Sequence, residues 1–213
     1  MNNQTEIYAI NRHRFEIDGK GIRTLVVFGD CLLRCKYCIN AFTWDGTTHG
    51  KLYTPEDLYE VVSVDSIYFY ATKGGLTFGG GEPLLHSAFI SNFMDIAPKE
   101  WNFIVETSLA APRENISLIA NRIDTFIVDI KSMDAEIYRK YTRGDLNLMK
   151  SNLLYLLGNL GPDRIHVRVP IIPGYADFSS QERSIKVLRD IGISNIEAFQ
   201  YMVSQNKASQ NKI

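Results

Sequence analysis

Three cysteines, Cys31, Cys35 and Cys38, fall within eight residues in the stretch GDCLLRCKYCIN, and the 213-residue chain has no others. An odd count at such short spacing is a poor disulfide framework. The first fifteen residues, MNNQTEIYAINRHRF, lack the apolar core of a secretory signal, so a reducing, cytoplasmic setting is expected. Clustered thiols there point to metal or redox chemistry, and the C-x3-C-x2-C spacing leaves three readings open. Three thiolates on one tight loop can hold three corners of an iron–sulfur cube, leaving the fourth iron without a protein ligand. A structural zinc site could instead be closed by His13 or His49. The thiols could also be buried and chemically idle.

The elements that must position this loop read as alternating strands and helices. Short runs rich in β-branched and aromatic residues predict strands at 24–28, 76–78, 103–106, 125–130, 165–169 and 195–201. Amphipathic stretches between them predict helices at 84–96, 112–122, 135–141, 146–157 and 180–191, with Gly192 as a C-terminal cap. Another helix follows Thr54-Pro-Glu-Asp, where Thr54 can cap and two acids favour the positive end of the dipole. Six strand–helix repeats predict a parallel α/β fold, either curled into an open barrel or laid in an open sheet. No low-complexity linker interrupts it, so residues 1–203 are expected to form one domain. The final SQNKASQNKI repeats a polar tetrad and has no apolar face, so 204–213 is expected to be a disordered tail. No covering helix follows the sixth strand, which leaves one flank for a partner or for solvent.

Composition removes other classes. The 23 basic and 24 acidic residues net to −1, too little field to hold nucleic acid or an anionic membrane. No apolar run is long enough to span a bilayer. With 45% hydrophobic residues the chain can bury a core, and it reads as a folded protein.

In this α/β arrangement the loops at the carboxyl ends of the strands form the functional rim. The cysteine loop follows the first predicted strand. Gly79, Gly80 and Gly81 end the second, where glycine permits close backbone approach to a ligand or a plain tight turn. Glu106 ends the third strand and Asp129 the fourth, placed for ribose hydroxyls, a cation or simple solvation. Lys131 lies two residues beyond Asp129, on the same side of an extended strand. Arg168, on the fifth strand, can pair with a carboxylate of a ligand or of the rim.

Taken together, these segments resemble the radical S-adenosylmethionine superfamily. C-x3-C-x2-C with an aromatic residue before the third cysteine, here Tyr37, looks like its signature, and Gly79-Gly-Gly-Glu-Pro83 resembles its GGEP. Asp18-Gly-Lys-Gly-Ile-Arg23 is similar to the DGPGIR of glycyl-radical-enzyme activases, the pyruvate formate-lyase activating type among them, with Lys20 in place of Pro. Phe42-Thr-Trp-Asp45 resembles their TWD, Asp129-Ile-Lys131 their D-[LI]-K, and Arg168 to Gly174 their R-x-x-V-x-P-G.

The resemblance implies a partial (β/α)6, TIM-like open barrel of parallel strands and an oxidoreductase. Its cofactors would be a [4Fe-4S] cluster on Cys31, Cys35 and Cys38 and S-adenosyl-L-methionine, with a monovalent cation near Glu106, a position that is commonly Asp in activases. It places Lys36, Tyr37, Cys38, Gly80, Gly81, Glu82, Glu106, Asp129, Ile130, Lys131, Arg168 and Met202 at the S-adenosylmethionine site, and Asp18 beside an entering peptide. Activases often carry His where this chain has Met202, which can pack an adenine face but cannot supply an imidazole hydrogen bond. The implied reaction is reductive cleavage of the sulfonium, with the resulting 5′-deoxyadenosyl radical taking hydrogen from a backbone glycine of a partner glycyl radical enzyme. A small molecule or a ribosomally made peptide is the alternative substrate within the superfamily, and a zinc-stabilised, non-catalytic binding module is the alternative outside it. With no cysteines for further clusters, the electron would come from an external flavodoxin- or ferredoxin-type donor.

Overall fold

The computed structural model describes residues 3–201; Met202 and the polar stretch 204–213 lie outside the described residues. The chain runs from β1 (Thr5–Phe15) and β2 (Ile22–Phe28) through β3 (Lys51–Tyr53), α1 (Pro55–Val62), α2 (Ser66–Thr72), β4 (Gly75–Gly80) and α3 (Ser87–Ile96). It continues with β5 (Asn102–Thr107), α4 (Arg113–Ile119), β6 (Thr125–Asp129), α5 (Ala135–Thr142), α6 (Leu146–Leu160), β7 (Ile165–Ile171), α7 (Phe178–Asp190) and β8 (Ile196–Gln200). The sheet order is β3-β1-β2-β4-β5-β6-β7-β8. From β2 to β8 every neighbour is parallel, so the six predicted strands stand side by side in chain order.

Two strands were not anticipated. β1 pairs antiparallel with β2, and β3 antiparallel with β1, which extends the parallel sheet at its first edge. β1 escapes sequence patterning because residues Asn11 to Arg14 are polar and its pairing register slips between Asn11 and Arg14. Such a bulge breaks the period-two signal.

One face of the strands presents Leu76, Phe78, Val105, Phe126, Val128 and Val167 to the helices, which reply with Leu58, Phe69, Ile90, Phe93, Ile116, Leu153 and Leu188. The helices begin where their caps dictate. Thr54 accepts from the Asp57 amide while the Asp57 carboxylate takes the Thr54 amide, a reciprocal box ahead of Pro55. Asp134, Asp145 and Asp177 cap α5, α6 and α7 through their carboxylates. Gly192, at φ +100°, follows α7 as predicted.

The opposite face is polar and concave. Side chains from β2 (Leu25) and β7 (Arg168) line one cavity of about 460 Å³. In a flat sheet these strands, four intervals apart, would stand roughly 19 Å from each other. The sheet is therefore curled. It does not close, because β3 and β8 are its two ends. At the amino ends of the strands Arg23 is almost fully buried, donating to Thr77 Oγ1 (2.8 Å), Asn102 Oδ1 (2.8 Å) and the carbonyls of Leu76 and Asn102. Burial pulls its pKa down to about 10. Among the described residues no helix is long and apolar enough to cross a membrane.

Candidate active site

All three cysteines line the 460 Å³ cavity. β2 ends at Phe28, and the loop that follows is fixed from two sides. The Asp30 amide bonds the Thr43 carbonyl (3.1 Å), while the Arg34 and Lys36 amides bond the Thr142 and Tyr141 carbonyls at the end of α5 (2.7 and 3.2 Å). Within the loop the Leu33 amide points to Cys31 Sγ (3.4 Å) and the Cys38 amide to the Cys35 carbonyl (3.3 Å). Among the described residues no disulfide joins the thiols. Burial pushes the Cys31 thiol up to about 12 and the Cys35 thiol to about 11.

The glycine loop at the end of β4 abuts this segment. Gly81 donates to the Phe28 carbonyl (3.0 Å) and Glu82 to the Asp30 carbonyl (2.7 Å), and Asn40 Nδ2 donates to the Gly80 carbonyl (2.8 Å). A Cβ on Gly81 would sit 2.1 Å from the Asp30 oxygen, and Gly80 has φ +105°, so glycine is required at both positions. Gly80 and Gly81 border the cavity.

Opposite lies a charged chain. Arg168 Nε donates to Asp129 Oδ1 (2.8 Å), and its Nη1 stands 3.2 Å from Glu106 Oε1. Lys131 Nζ is 3.4 Å from Asp129 Oδ2 and donates to the Tyr201 hydroxyl (2.9 Å). Burial opposes the charge on Asp129, but Lys131 and Arg168 together hold its carboxyl below the usual range. Burial likewise opposes charge on Lys131, and Asp129, Tyr201 and Cys35 outweigh it, so its pKa is raised well above normal. On Glu106 burial wins over Arg168, and the pKa is raised. At the hairpin side Asp18, almost fully buried, takes both Nε and Nη2 of Arg14, the latter at 2.8 Å.

Of the sequence-predicted residues, the three cysteines, Asp18, Gly80, Gly81, Glu106, Asp129, Lys131 and Arg168 meet at this cavity. Four others do not border it. Glu82 is fully buried behind the wall, accepting from Thr107 Oγ1 (2.6 Å), Ser108 N and Oγ (3.0 and 2.6 Å) and Leu84 N (3.3 Å). The chain turns into a short 3-10 helix at Pro83, and Glu82 is its N-cap. Ile130 is buried in the helix-facing core. Tyr37 packs on Tyr141 and Tyr175, with ring centroids 6.0 and 5.8 Å away. Lys36 is exposed. Met202 lies outside the described residues. Asn11, Arg14, Asn40 and Ser108 also border the cavity and were missed. The first two sit on the unforeseen β1; the others carry no pattern that distinguishes them from ordinary turn residues.

The residues present suit a cluster better than a single ion. Among the described residues no three His, Cys, Asp or Glu side chains are grouped to hold one metal ion. A cubane asks for less convergence, because each thiolate takes its own iron. Among the described residues the Tyr138 hydroxyl is buried beside this loop without a hydrogen-bond partner. The zinc alternative loses its fourth ligand. His13 pairs with Asp65 (3.1 Å), His49 lies 3.9 Å from Glu6, and neither borders the cavity.

Comparison with known proteins agrees with this geometry. The chain is 32% identical over 198 residues to the pyruvate formate-lyase 1-activating enzyme of Escherichia coli (strain K12), covering 89% of this chain and 79% of that one. It is 29% identical to the pyruvate formate-lyase-activating enzyme of Clostridium pasteurianum (87% and 77% covered). With the indoleacetate decarboxylase activating enzyme of Tractidigestivibacter scatoligenes the identity is 26% (75% and 71% covered). Among solved structures, SuiB of Streptococcus suis bound to S-adenosylmethionine shares the fold, with TM-score 0.64 and 11% identity. The match covers 86% of this chain but only 43% of that one. The fold is thus the partial barrel of those enzymes. Residues 25–179, most of the sheet and the whole cysteine loop, match the Radical SAM superfamily, and the chain belongs to it.

Proposed function

We propose that this chain activates a glycyl radical enzyme. The observation that carries the reading is the meeting of three thiols, the glycine loop and the Glu106–Arg168–Asp129–Lys131 chain at one cavity, in a chain 32% identical to an activating enzyme. Cys31, Cys35 and Cys38 would hold a [4Fe-4S] cluster and leave its fourth iron to S-adenosylmethionine. Bound there, the two cofactors would supply radical chemistry: one-electron cleavage of the sulfonium and hydrogen abstraction from the substrate.

The chain's own residues hold and shield. Gly80 and Gly81 bring backbone within reach of the methionine end. Asp129 and Lys131, each fixed by the other's charge, offer an acceptor and a donor to the ribose and carboxylate. Arg168 keeps Glu106 and Asp129 apart and compensated, so the acids do not repel a ligand carboxylate. Asp18, locked by Arg14, stands on the hairpin side where a peptide would arrive. Nothing here requires a protein general acid or base. Residues 1–203 act as one domain, with an external flavodoxin- or ferredoxin-type protein as electron source. A polypeptide substrate is favoured over an enclosed small molecule because the cavity reaches the surface at Ile17 and Ile39, which are 65% and 77% exposed.

The test is release of 5′-deoxyadenosine from S-adenosylmethionine by anaerobically reconstituted, dithionite-reduced protein, followed by electron paramagnetic resonance on a candidate partner. Cys35→Ala should abolish cubane assembly and cleavage together. Cleavage by that variant would overturn the ligand assignment. An iron-replete protein that never cleaves the cofactor, with or without partner, would overturn the function.

A further inference from the structure

The first two helices carry an apolar stripe that no described part of the chain covers. α1, the short 3-10 turn Ser63–Asp65 and α2 follow one another with right-handed helical backbone at Val62, Ser63, Asp65 and Ser66, so residues 55–72 form one nearly continuous rod. Its inner side buries Leu58, Val62, Asp65 and Phe69. Its outer side exposes Val61, Val64 (59%), Ile67 (71%), Tyr68 and Tyr70. The outer face of a surface helix is ordinarily charged or polar, and an apolar centre there marks an interaction surface. The ends of the stripe carry opposite charge. Glu56 and Glu60, both exposed, lie at its start beside Asp57, which is engaged in capping. Exposed Lys73 closes α2 at φ +56°. Lys20 is brought to the same end, since the Ile22 amide donates to Thr72 Oγ1 (2.9 Å) and a Cβ on Gly21 would sit 2.7 Å from the Thr72 carbonyl oxygen. Among the described residues Glu56, Glu60, Lys20 and Lys73 have no ion-pair partner. Arg12, beside the middle of the rod, is taken by Asp65.

We infer that this stripe is the interface for a second copy of this chain, with the two rods packed antiparallel about a two-fold axis between residues 65 and 66. The charges select this partner. A surface that is acidic at one end, basic at the other and apolar between is complementary to itself when reversed. With Val64 of one copy facing Ile67 of the other, Val61 faces Tyr70. Lys73 then stands level with Leu58, about 3 Å along the axis from both Glu56 and Glu60, well within reach of its side chain. A parallel pairing would instead set glutamate on glutamate and lysine on lysine. A rod about 27 Å long and about 10 Å across presents less than the roughly 800 Å² per partner of a standard interface, so the dimer is a reversible one, of about micromolar affinity. None of the residues of α1 or α2 borders the cavity, so the pairing leaves its walls untouched and does not depend on the functional reading above.

The test is sedimentation velocity of the full chain, which should show a monomer–dimer equilibrium between about 1 and 100 µM. The double variant Val64→Glu, Ile67→Glu changes exposed side chains only, so its melting temperature serves as the folding control. It should weaken dimerisation about tenfold or more, because each copy would bury unpaired carboxylates. Glu56→Lys with Glu60→Lys should weaken the dimer at low salt, and adding Lys20→Glu with Lys73→Glu should restore it by exchanging the charge of both ends. A wild type that stays monomeric at about 100 µM would overturn the proposal, as would a dimer that the Val64, Ile67 variant leaves intact. Weakening by the first charge change without restoration by the exchange would overturn the antiparallel arrangement.

Discussion

Glu82 shows how a buried carboxylate can brace the wall of a cavity it does not border. Its two oxygens collect four donors, two of them backbone amides at Leu84 and Ser108, and so tie the end of β4 to the end of β5. Burial pushes its pKa up, and the donors work against that rise. A glutamine there would turn an NH2 toward at least one backbone N–H that cannot rotate away. Glu82→Gln should therefore cost about 2 kcal/mol of stability, read as a lower denaturant midpoint, and weaken S-adenosylmethionine binding through the displaced glycine loop. Unchanged stability would mean that the turn is held by other contacts. From sequence Glu82 looked like one more ligand contact because it adjoins Gly81. Only the 3-10 turn at Pro83 shows that its side chain leaves the cavity. Asp129, Lys131 and Arg168 were legible because strand periodicity and strand ends already put them on one rim. Their mutual pairing was not, since it depends on how far the sheet curls.

Among the elements, the β1–β2 hairpin is anchored by Asp65, in the short turn between α1 and α2. Its fully buried carboxylate receives Arg12 (2.5 and 2.9 Å), His13 (3.1 Å) and Thr24 (2.8 Å), joining two strands to the helix layer. Burial opposes its charge, but these partners hold its pKa below the ordinary value. An acid whose folded pKa is depressed stabilises the fold above its unfolded pKa of about 3.9 and loses that contribution as pH falls through the folded value. Asp65→Asn should lower the melting temperature by an amount constant between about pH 8 and 5, and the gap should close below about pH 4. A gap independent of pH would assign the loss to shape rather than charge. The hairpin was the element least legible in the sequence. The six parallel strands announce themselves as apolar runs, whereas β1 mixes Asn11, Arg12, His13 and Arg14 around a bulge.

For the molecule as a whole, the donor set predicts a specific metal content. Anaerobic reconstitution should load about four irons per chain, with zinc absent, and exposure to air should bleach the protein and end cofactor cleavage, because an iron without a protein ligand is open to oxidant. About one zinc per chain, or full activity after prolonged aeration, would contradict the assignment. The overall architecture was read correctly as parallel α/β from strand–helix alternation; curvature follows from residues of distant strands sharing one cavity. Two ends of the sheet, β3 and β8, never meet. A closed cylinder could receive a polymer only through its mouth, tip first. A crescent has a side door: an uninterrupted chain can be laid across the gap and lifted out again. Were the substrate a polypeptide, as proposed, the residue it presents could lie in the middle of that chain, far from either terminus, without the chain being cut or threaded.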